Sequence, residues 1–261
     1  MSLKVIKNES ELNNSIGIET NELNRNAMGG TEMMQHALYS KLSKELLDRF
    51  QIIPSRVRNI DPNRLPILWL HDLAEDPESR HLSDSGNRSR FRRLVFVSHW
   101  QFTTYHKVLG VPYSDSIVIR NAIEPIPTHE KSKEGPLRLI YHTTPHRGLD
   151  VLLAVYQKLS EKWGDRVHLD VYSSFNIYGW PQRDEPFEQL FQICRDHEHI
   201  TYHGTVSNQE VREALQKAHI FAYPSTWQET SCIAAIEAMS AGCCVVCPSL
   251  AALPETTSNF S

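Results

Sequence analysis

From Leu137 onward, short apolar runs alternate with longer amphipathic ones, and this rhythm constrains the fold more than any other feature of the chain. LRLIYHT, VHLDVYSS, ITYHGT, HIFAYPS and CCVVCPS read as strands. GLDVLLAVYQKLSEKW, FEQLFQICRD, NQEVREALQKA and a last segment opening after Glu229 read as the helices between them. Strands joined through helices cannot pair as hairpins. They need βαβ crossovers, which give a parallel sheet covered by helices in a doubly wound layer.

The first half has the same character with less regularity. SIGIET, FQIIPS, PILWLHD, RLVFVSH and DSIVIRN are strand candidates, and TEMMQHALYSKLSKELLDRF reads as one helix with apolar spacing at Met33, Met34, Ala37, Leu38 and Leu42. WQFTTYHKVLG reads as a shorter helix. Between the halves, NAIEPIPTHEKSKEGP carries prolines and charges without periodicity, as linkers do. The expected organisation is α/β throughout: a reduced Rossmann-like domain over 1–125, a linker over 126–136 and a second Rossmann-like domain over 137–261, each a parallel sheet flanked by helices. A chain of 261 residues can bury two such cores.

Charge excludes one class of function. The net charge is −4 with both signs interspersed, which leaves no electrostatic footprint for nucleic acid. The one basic run, RSRFRR at Arg88 to Arg93, reads as a solvated face or as a contact with an anionic surface, so peripheral membrane contact stays open. No apolar run reaches the ~20 residues of a membrane span, and the amino terminus has no signal-peptide pattern. Five cysteines, an odd number, do not form a disulfide framework and point to a reducing cytoplasm. Cys244 and Cys247 spell C-x-x-C, but three residues apart on a strand they face opposite ways, so they read as core cysteines. His142 and His146 are separated by Pro145, and His197 and His199 lie in a loop without an evident third ligand, so no metal site is expected.

Ligands of open parallel sheets bind at the carboxyl ends of strands, where helix N-termini present free N–H groups. Three loops there carry suitable residues. In TPHRGLD, Arg147 stands just before a helix and Gly148 permits close backbone approach; Arg147 is either a phosphate ligand or a surface arginine in a turn. In TWQETSC, the amides of Thr230, Ser231 and Cys232 are expected in the first helical turn, where they could hold an anion. Glu229 would repel that anion and suits sugar hydroxyls instead. In NAMGGTEMM, Gly29 and Gly30 precede a helix, as a ligand loop or as a plain turn.

Glu237 is the sharpest anomaly. In the helix after Glu229, Ile233, Ile236 and Met239 share one arc and Ala234, Ala235, Ala238 and Ala241 fill most of the rest, leaving no solvated face. The lone carboxylate of such a helix needs a partner, and vicinal ribose hydroxyls would serve. Two glycine-bearing loops, one arginine and two carboxylates together suit a phosphate-plus-polyol ligand such as a nucleotide sugar.

YHTTPHRGLDVLLAVYQKL, ITYHGTVSNQEVREALQKAHIFAYPSTWQET and CIAAIEAMSAGCCVVCPSLAALPET resemble the carboxyl-terminal domain of GT-B glycosyltransferases of the retaining family 4, group 1. Glu229 and Glu237 stand in that family's E-x7-E arrangement. GGTE, WLHD, and FVSHW followed by IVIRNAIE resemble pieces of its first domain. The resemblance implies that Arg147 and the amides of Thr230, Ser231 and Cys232 bind the donor diphosphate, Glu229 holds the transferred sugar, and Glu237 holds the ribose. Gly29 and Gly30 would let the first domain close on the donor, and His71 would sit beside the sugar. His71, Arg147 and Glu229 are thus the implied catalytic set.

The implied reaction moves a sugar from a UDP-, GDP- or ADP-linked donor to an acceptor hydroxyl on a carbohydrate, lipid or protein, with retention and without metal or cofactor. The chain departs from the family in a short first domain, in a carboxyl end that stops soon after LPET, in RNA for PNG at Arg120 to Ala122, and in Thr143, Thr144 and His146 where relatives carry a further arginine. The alternatives are a non-catalytic nucleotide-sugar-binding protein and a GT-B-like epimerase or phosphorylase.

Overall fold

A computed structural model of the chain describes residues 29–127 and 129–258. The expected strand SIGIET lies outside the described residues. The chain divides into two compact units. One gathers Gly30–Glu124, Gln228–Ile236 and the segment from Ser249 on; the other gathers Gly29, Pro125–Trp227 and Glu237–Pro248.

The first unit is built on strands β1 (Phe50–Pro54), β2 (Leu65–Leu70), β3 (Arg93–Phe96) and β4 (Ser116–Val118). They pair in that order and all in parallel. Side chains alternate across a strand, so each strand feeds two cores. Ile53, Leu68, Leu70, Leu94 and Phe96 face one way, onto Leu82, Phe91, Phe102 and Tyr105. Trp69, Val95 and Val97 face the other, onto Met34, with Ile52, Ile67, Leu38 and Ile233 packed against them.

The segment expected as one helix before β1 forms two, α1 (Gly30–Lys41) and α2 (Lys44–Arg49). Ser43 explains the break. Its backbone is extended and its side chain accepts from the Leu46 N–H, so it starts a new helix instead of continuing the old one. A short turn of helix, α3 (Ser85–Arg88), precedes β3, and α4 (His99–Leu109) follows it. Ser98 caps α4 at its start by accepting from the Gln101 N–H.

The second unit holds β5 (Leu137–Tyr141), β6 (Val167–Val171), β7 (Ile200–Tyr202), β8 (Ile220–Ala222) and β9 (Cys244–Val246), at the five places the alternation predicts. All pairs are parallel, in the order β7-β6-β5-β8-β9. The helices between them are α5 (Leu149–Trp163), α6 (Glu188–Asp196), α7 (Asn208–Lys217) and α8 (Ile233–Ser240), and α9 (Leu253–Thr256) follows β9. On α5, Leu149, Leu152, Leu153 and Tyr156 recur at helical spacing and are buried, and the Tyr156 hydroxyl donates to the His199 carbonyl at 2.8 Å. α7 opens on a capping box between Ser207 and Glu210.

Candidate functional site

In the second unit the strand order reverses at β5. The chain steps outward from β5 to β6 and β7, then returns to lay β8 on the other side of β5. The carboxyl ends of β5 and β8 therefore mark the switch point of the sheet, the usual ligand position in such folds. After β5, Pro145–Arg147 forms a 3-10 turn and Gly148 follows with φ 98°. A Cβ on Gly148 would lie 2.2 Å from the Pro224 carbonyl oxygen, so the two loops touch backbone to backbone and only glycine fits. Arg147 thus stands immediately before α5, whose N-cap residue offers no side-chain cap.

Near the ends of β5 and β6 lie polar atoms of Thr143, Thr144 and His146, the residues that stand where relatives carry a further arginine, and of Ser173, which the sequence did not bring forward. Thr143 Oγ1, Thr144 Oγ1, Ser173 Oγ and His146 Nδ1 are buried without a hydrogen-bond partner among the described residues. Register explains their grouping: Tyr141 pairs with Val171, so Thr143 and Ser173 leave adjacent strands at the same level. His146 stacks on Phe175 at 5.1 Å and meets the Trp227 ring edge-on at 5.0 Å. Burial, with Arg147 and Arg183 adding positive charge, pushes the His146 pKa well below the ordinary histidine range, so the ring is neutral. A hydroxyl after the carboxyl end of two neighbouring strands was the available signal.

Glu237 is only 4% exposed, as its apolar helix demands. Its Oε1 accepts from Asn208 Nδ2 at 3.2 Å and from an Arg212 guanidinium nitrogen at 3.3 Å. Asn208 and Arg212 are four apart on α7 and so share a face. Burial outweighs both partners and raises the Glu237 pKa above the ordinary glutamate range. Both contacts fall on one carboxylate oxygen.

In the first unit, Gly30 begins α1, and a Cβ there would stand 3.3 Å from Ile233 Cδ1. Gly29, the buried residue before it, belongs to the other unit. His71 follows β2. Its N–H donates to Ser55 Oγ at 2.9 Å and its carbonyl accepts from Thr230 Oγ1 at 2.8 Å. Burial depresses the His71 pKa to about 4, so the imidazole is neutral across the physiological range.

The loop carrying Glu229 differs from expectation. α8 starts at Ile233, so Thr230, Ser231 and Cys232 precede the helix instead of forming its first turn. The cause is local: Cys232 has φ 62°, a left-handed conformation that no α-helix continues, and its carbonyl accepts from the Ala235 and Ile236 N–H groups. Upstream, the Glu229 carbonyl accepts from the Ala252 N–H at 3.1 Å, and the Ser231 carbonyl accepts from the Thr256 hydroxyl. In a trans peptide the N–H points opposite the C=O. The amides of Thr230 and Cys232 are accordingly turned away from Ala252 and Thr256. The Glu229 side chain is buried at 7% exposure. His71 and the Glu229–Cys232 loop are therefore joined within one unit, while Arg147 and Glu237 belong to the other.

The remaining sequence features resolve simply. The C-x-x-C pair is not in the core: Cys244 is exposed and Cys247 half-buried, because β9 is the sheet edge and alternate residues turn outward, with Cys243 and Val245 facing in. Of the basic run, Arg88 is committed to the Leu82 and Ser83 carbonyls at 2.7 and 3.0 Å and Phe91 is buried, leaving Arg90, Arg92 and Arg93 exposed. His197 accepts or donates at Ser160 Oγ over 3.0 Å. Among the described residues no group of three or more His, Cys, Asp or Glu side chains is placed to hold a metal, and no helix is long and apolar enough to cross a membrane.

Solved structures of known proteins share this architecture. Anabaena HepE, crystallised with UDP-glucose, superposes with a TM-score of 0.57 at 14% identity, covering 74% of this chain and 55% of HepE. A glycosyltransferase from Rickettsia africae gives 0.57 at 16% identity over 94% of this chain and 70% of its own. WaaG, a glycosyltransferase involved in lipopolysaccharide biosynthesis, gives 0.53 at 13% over 91% and 70%. At such identities the likeness is one of fold, and the chain spans little more than half of HepE's length. No curated protein matches the sequence at a significant level. The family model for glycosyl transferases group 1 matches residues 127–260, just over half of the chain. By that match the chain belongs to the glycosyl transferases group 1 family.

Proposed function

We propose that the chain binds a nucleotide-diphosphate sugar and transfers the sugar to an acceptor hydroxyl with retention of configuration, as a family 4 enzyme. The observation that carries this reading is the set of donors that follow the strand ends at the β5 reversal. Arg147, the uncapped start of α5 and the buried hydroxyls of Thr143, Thr144 and Ser173 all follow the carboxyl ends of the adjacent parallel strands β5 and β6. Arginine, helix-terminal amides and hydroxyls are donors, and a diphosphate is an acceptor throughout. Relatives of the fold support the ligand class: HepE was crystallised with UDP-glucose.

In this assignment Arg147 takes the diphosphate, and the amides of Thr230, Ser231 and Cys232 are offered to an anion. Glu229 accepts from hydroxyls of the sugar, with His71 beside them. Glu237 accepts from the ribose through the oxygen that Asn208 and Arg212 leave open. Gly29 and Gly30 let backbone approach the donor. Chemistry follows from charge: as the glycosidic bond lengthens, negative charge grows on the departing diphosphate, and donors already in place stabilise it more than the ground state. The acceptor hydroxyl attacks the anomeric carbon on the face the diphosphate leaves and passes its proton to the departing phosphate oxygen as the old glycosidic bond breaks, so no carboxylate nucleophile is assigned. A leaving group held by protein donors has little need of a divalent cation, and the reaction is proposed as metal-independent. Five cysteines, an odd number, suit a reducing cytoplasm.

The test is turnover. Radiolabelled UDP-, GDP- and ADP-sugars are incubated with the protein in EDTA, with and without candidate carbohydrate, lipid and protein acceptors. Label passing to an acceptor, or slow donor hydrolysis lost in Arg147→Ala, supports transfer; tight donor binding with neither points to a binding protein.

A further inference from the structure

The first unit contains a pair of ring nitrogens that meet no hydrogen-bond partner among the described residues. Trp69 is 7% exposed, and its indole Nε1 is buried without a hydrogen-bond partner among the described residues. His71 Nε2 is in the same condition. The two residues are two apart at the end of β2, so they emerge on one face, and their ring centroids are 4.6 Å apart at an interplanar angle of 59°. Buried tryptophan N–H groups ordinarily find an acceptor, and native buried polar atoms without one call for an explanation.

We infer that Trp69 and His71 together read a hydroxyl of the transferred sugar, with Trp69 a specificity-determining residue of the site. This rests on the reading of the protein as a nucleotide-sugar enzyme. The indole N–H can only donate. The His71 ring is neutral, so its Nε2 donates or accepts according to tautomer. A hydroxyl satisfies both nitrogens in either case, since it accepts twice and donates once. A phosphate fits only one tautomer and gains no charge from a neutral pair.

Position points to the sugar. Thr230 Oγ1 donates to the His71 carbonyl at 2.8 Å, which ties the loop beginning at Glu229 to the end of β2 within the same unit. Met34, Val95, Val97 and Ile233 pack around Trp69 and fix the ring. The pair therefore selects by an unpaired-polar-group penalty: a sugar lacking that hydroxyl leaves both nitrogens unsatisfied.

The experiment compares UDP-glucose, GDP-mannose and ADP-glucose with UDP, GDP and ADP by calorimetry on the full chain and on Trp69→Phe, which keeps an aromatic ring and removes the N–H. For the pair the wild type binds, Trp69→Phe is expected to weaken the sugar nucleotide about tenfold and leave the nucleoside diphosphate unchanged. A second readout does not depend on the variant folding: in wild-type protein the Trp69 indole N–H resonance shifts on adding the sugar nucleotide and stays put with the nucleoside diphosphate. An indole signal indifferent to both ligands, or equal loss of affinity for both in a folded Trp69→Phe, overturns the inference while leaving donor binding intact. Wild-type protein that binds none of the six overturns the functional reading itself.

Discussion

The carbonyl oxygen of Pro224 stands 2.2 Å from where a Cβ on Gly148 would lie, so the loop after β5 and the loop after β8 are as close as two backbones can be. Gly148 also has φ 98°, a region side chains rarely enter. Replacing it with alanine forces the loops apart. The expected cost is roughly 3 kcal/mol from overpacking and backbone strain together. That corresponds to a drop in Tm of about 6–12 °C for a chain of this size. Thermal unfolding of Gly148→Ala checks this; a Tm within a degree of wild type would mean the contact is not fixed.

Glu237 carries a pH signature. Burial raises its folded-state pKa, so its favourable contribution to stability is complete below the ordinary glutamate value, about 4.3, and is lost as pH rises through the raised value. Glu237→Gln keeps an oxygen for Asn208 and Arg212 and removes the buried charge. The variant should melt above wild type at pH 7 and converge with it near pH 4, while binding the nucleotide more weakly. Melting curves from pH 4 to 8 decide the first point, and a variant less stable than wild type at pH 7 contradicts it.

His71, with its pKa pushed down to about 4, should not titrate in the physiological range. A histidine whose folded pKa is depressed supports stability above its unfolded value, about 6.5, and that support fades as pH falls through the folded value. The imidazole resonances of His71 are expected to stay constant between pH 5.5 and 8. A midpoint between 6 and 7 would show the ring to be solvated.

Thr230→Val removes the hydroxyl that donates to the His71 carbonyl at 2.8 Å while keeping the side-chain shape. The expected loss of stability is about 1–2 kcal/mol, the range for one buried hydrogen bond with its acceptor left unpaired. Chemical denaturation reads this directly, and an unchanged midpoint would show that this bond does not help to hold the Glu229 loop.

The fold was legible wherever burial imposed a period. All five strands of the second sheet and the helices between them lie where apolar runs alternate, because a parallel sheet buried on both faces leaves little freedom in composition. Edges were less legible: nothing local in CCVVC tells an edge strand from a central one, and Cys244 turned out exposed for that reason alone. The start of α8 was misplaced by three residues because Cys232 adopts a left-handed φ that neither its identity nor its neighbours announce. Glu237 was recognisable as an anomaly from its own helix. Its partners Asn208 and Arg212 belong to another helix, and only tertiary packing brings them to it. Trp69 belonged only to a strand candidate in PILWLHD; what the sequence could not reveal is that its N–H is buried without an acceptor among the described residues.

The most direct test of the account is the thermal stability of the full chain with UDP-, GDP- and ADP-sugars, repeated on Arg147→Ala. A ligand at 100 times its Kd adds about 2.7 kcal/mol, which for a chain of this size raises Tm by roughly 5–10 °C. The account predicts such a rise for at least one of the three, lost in Arg147→Ala. No shift with any of them, or a shift that survives loss of Arg147 undiminished, would contradict it.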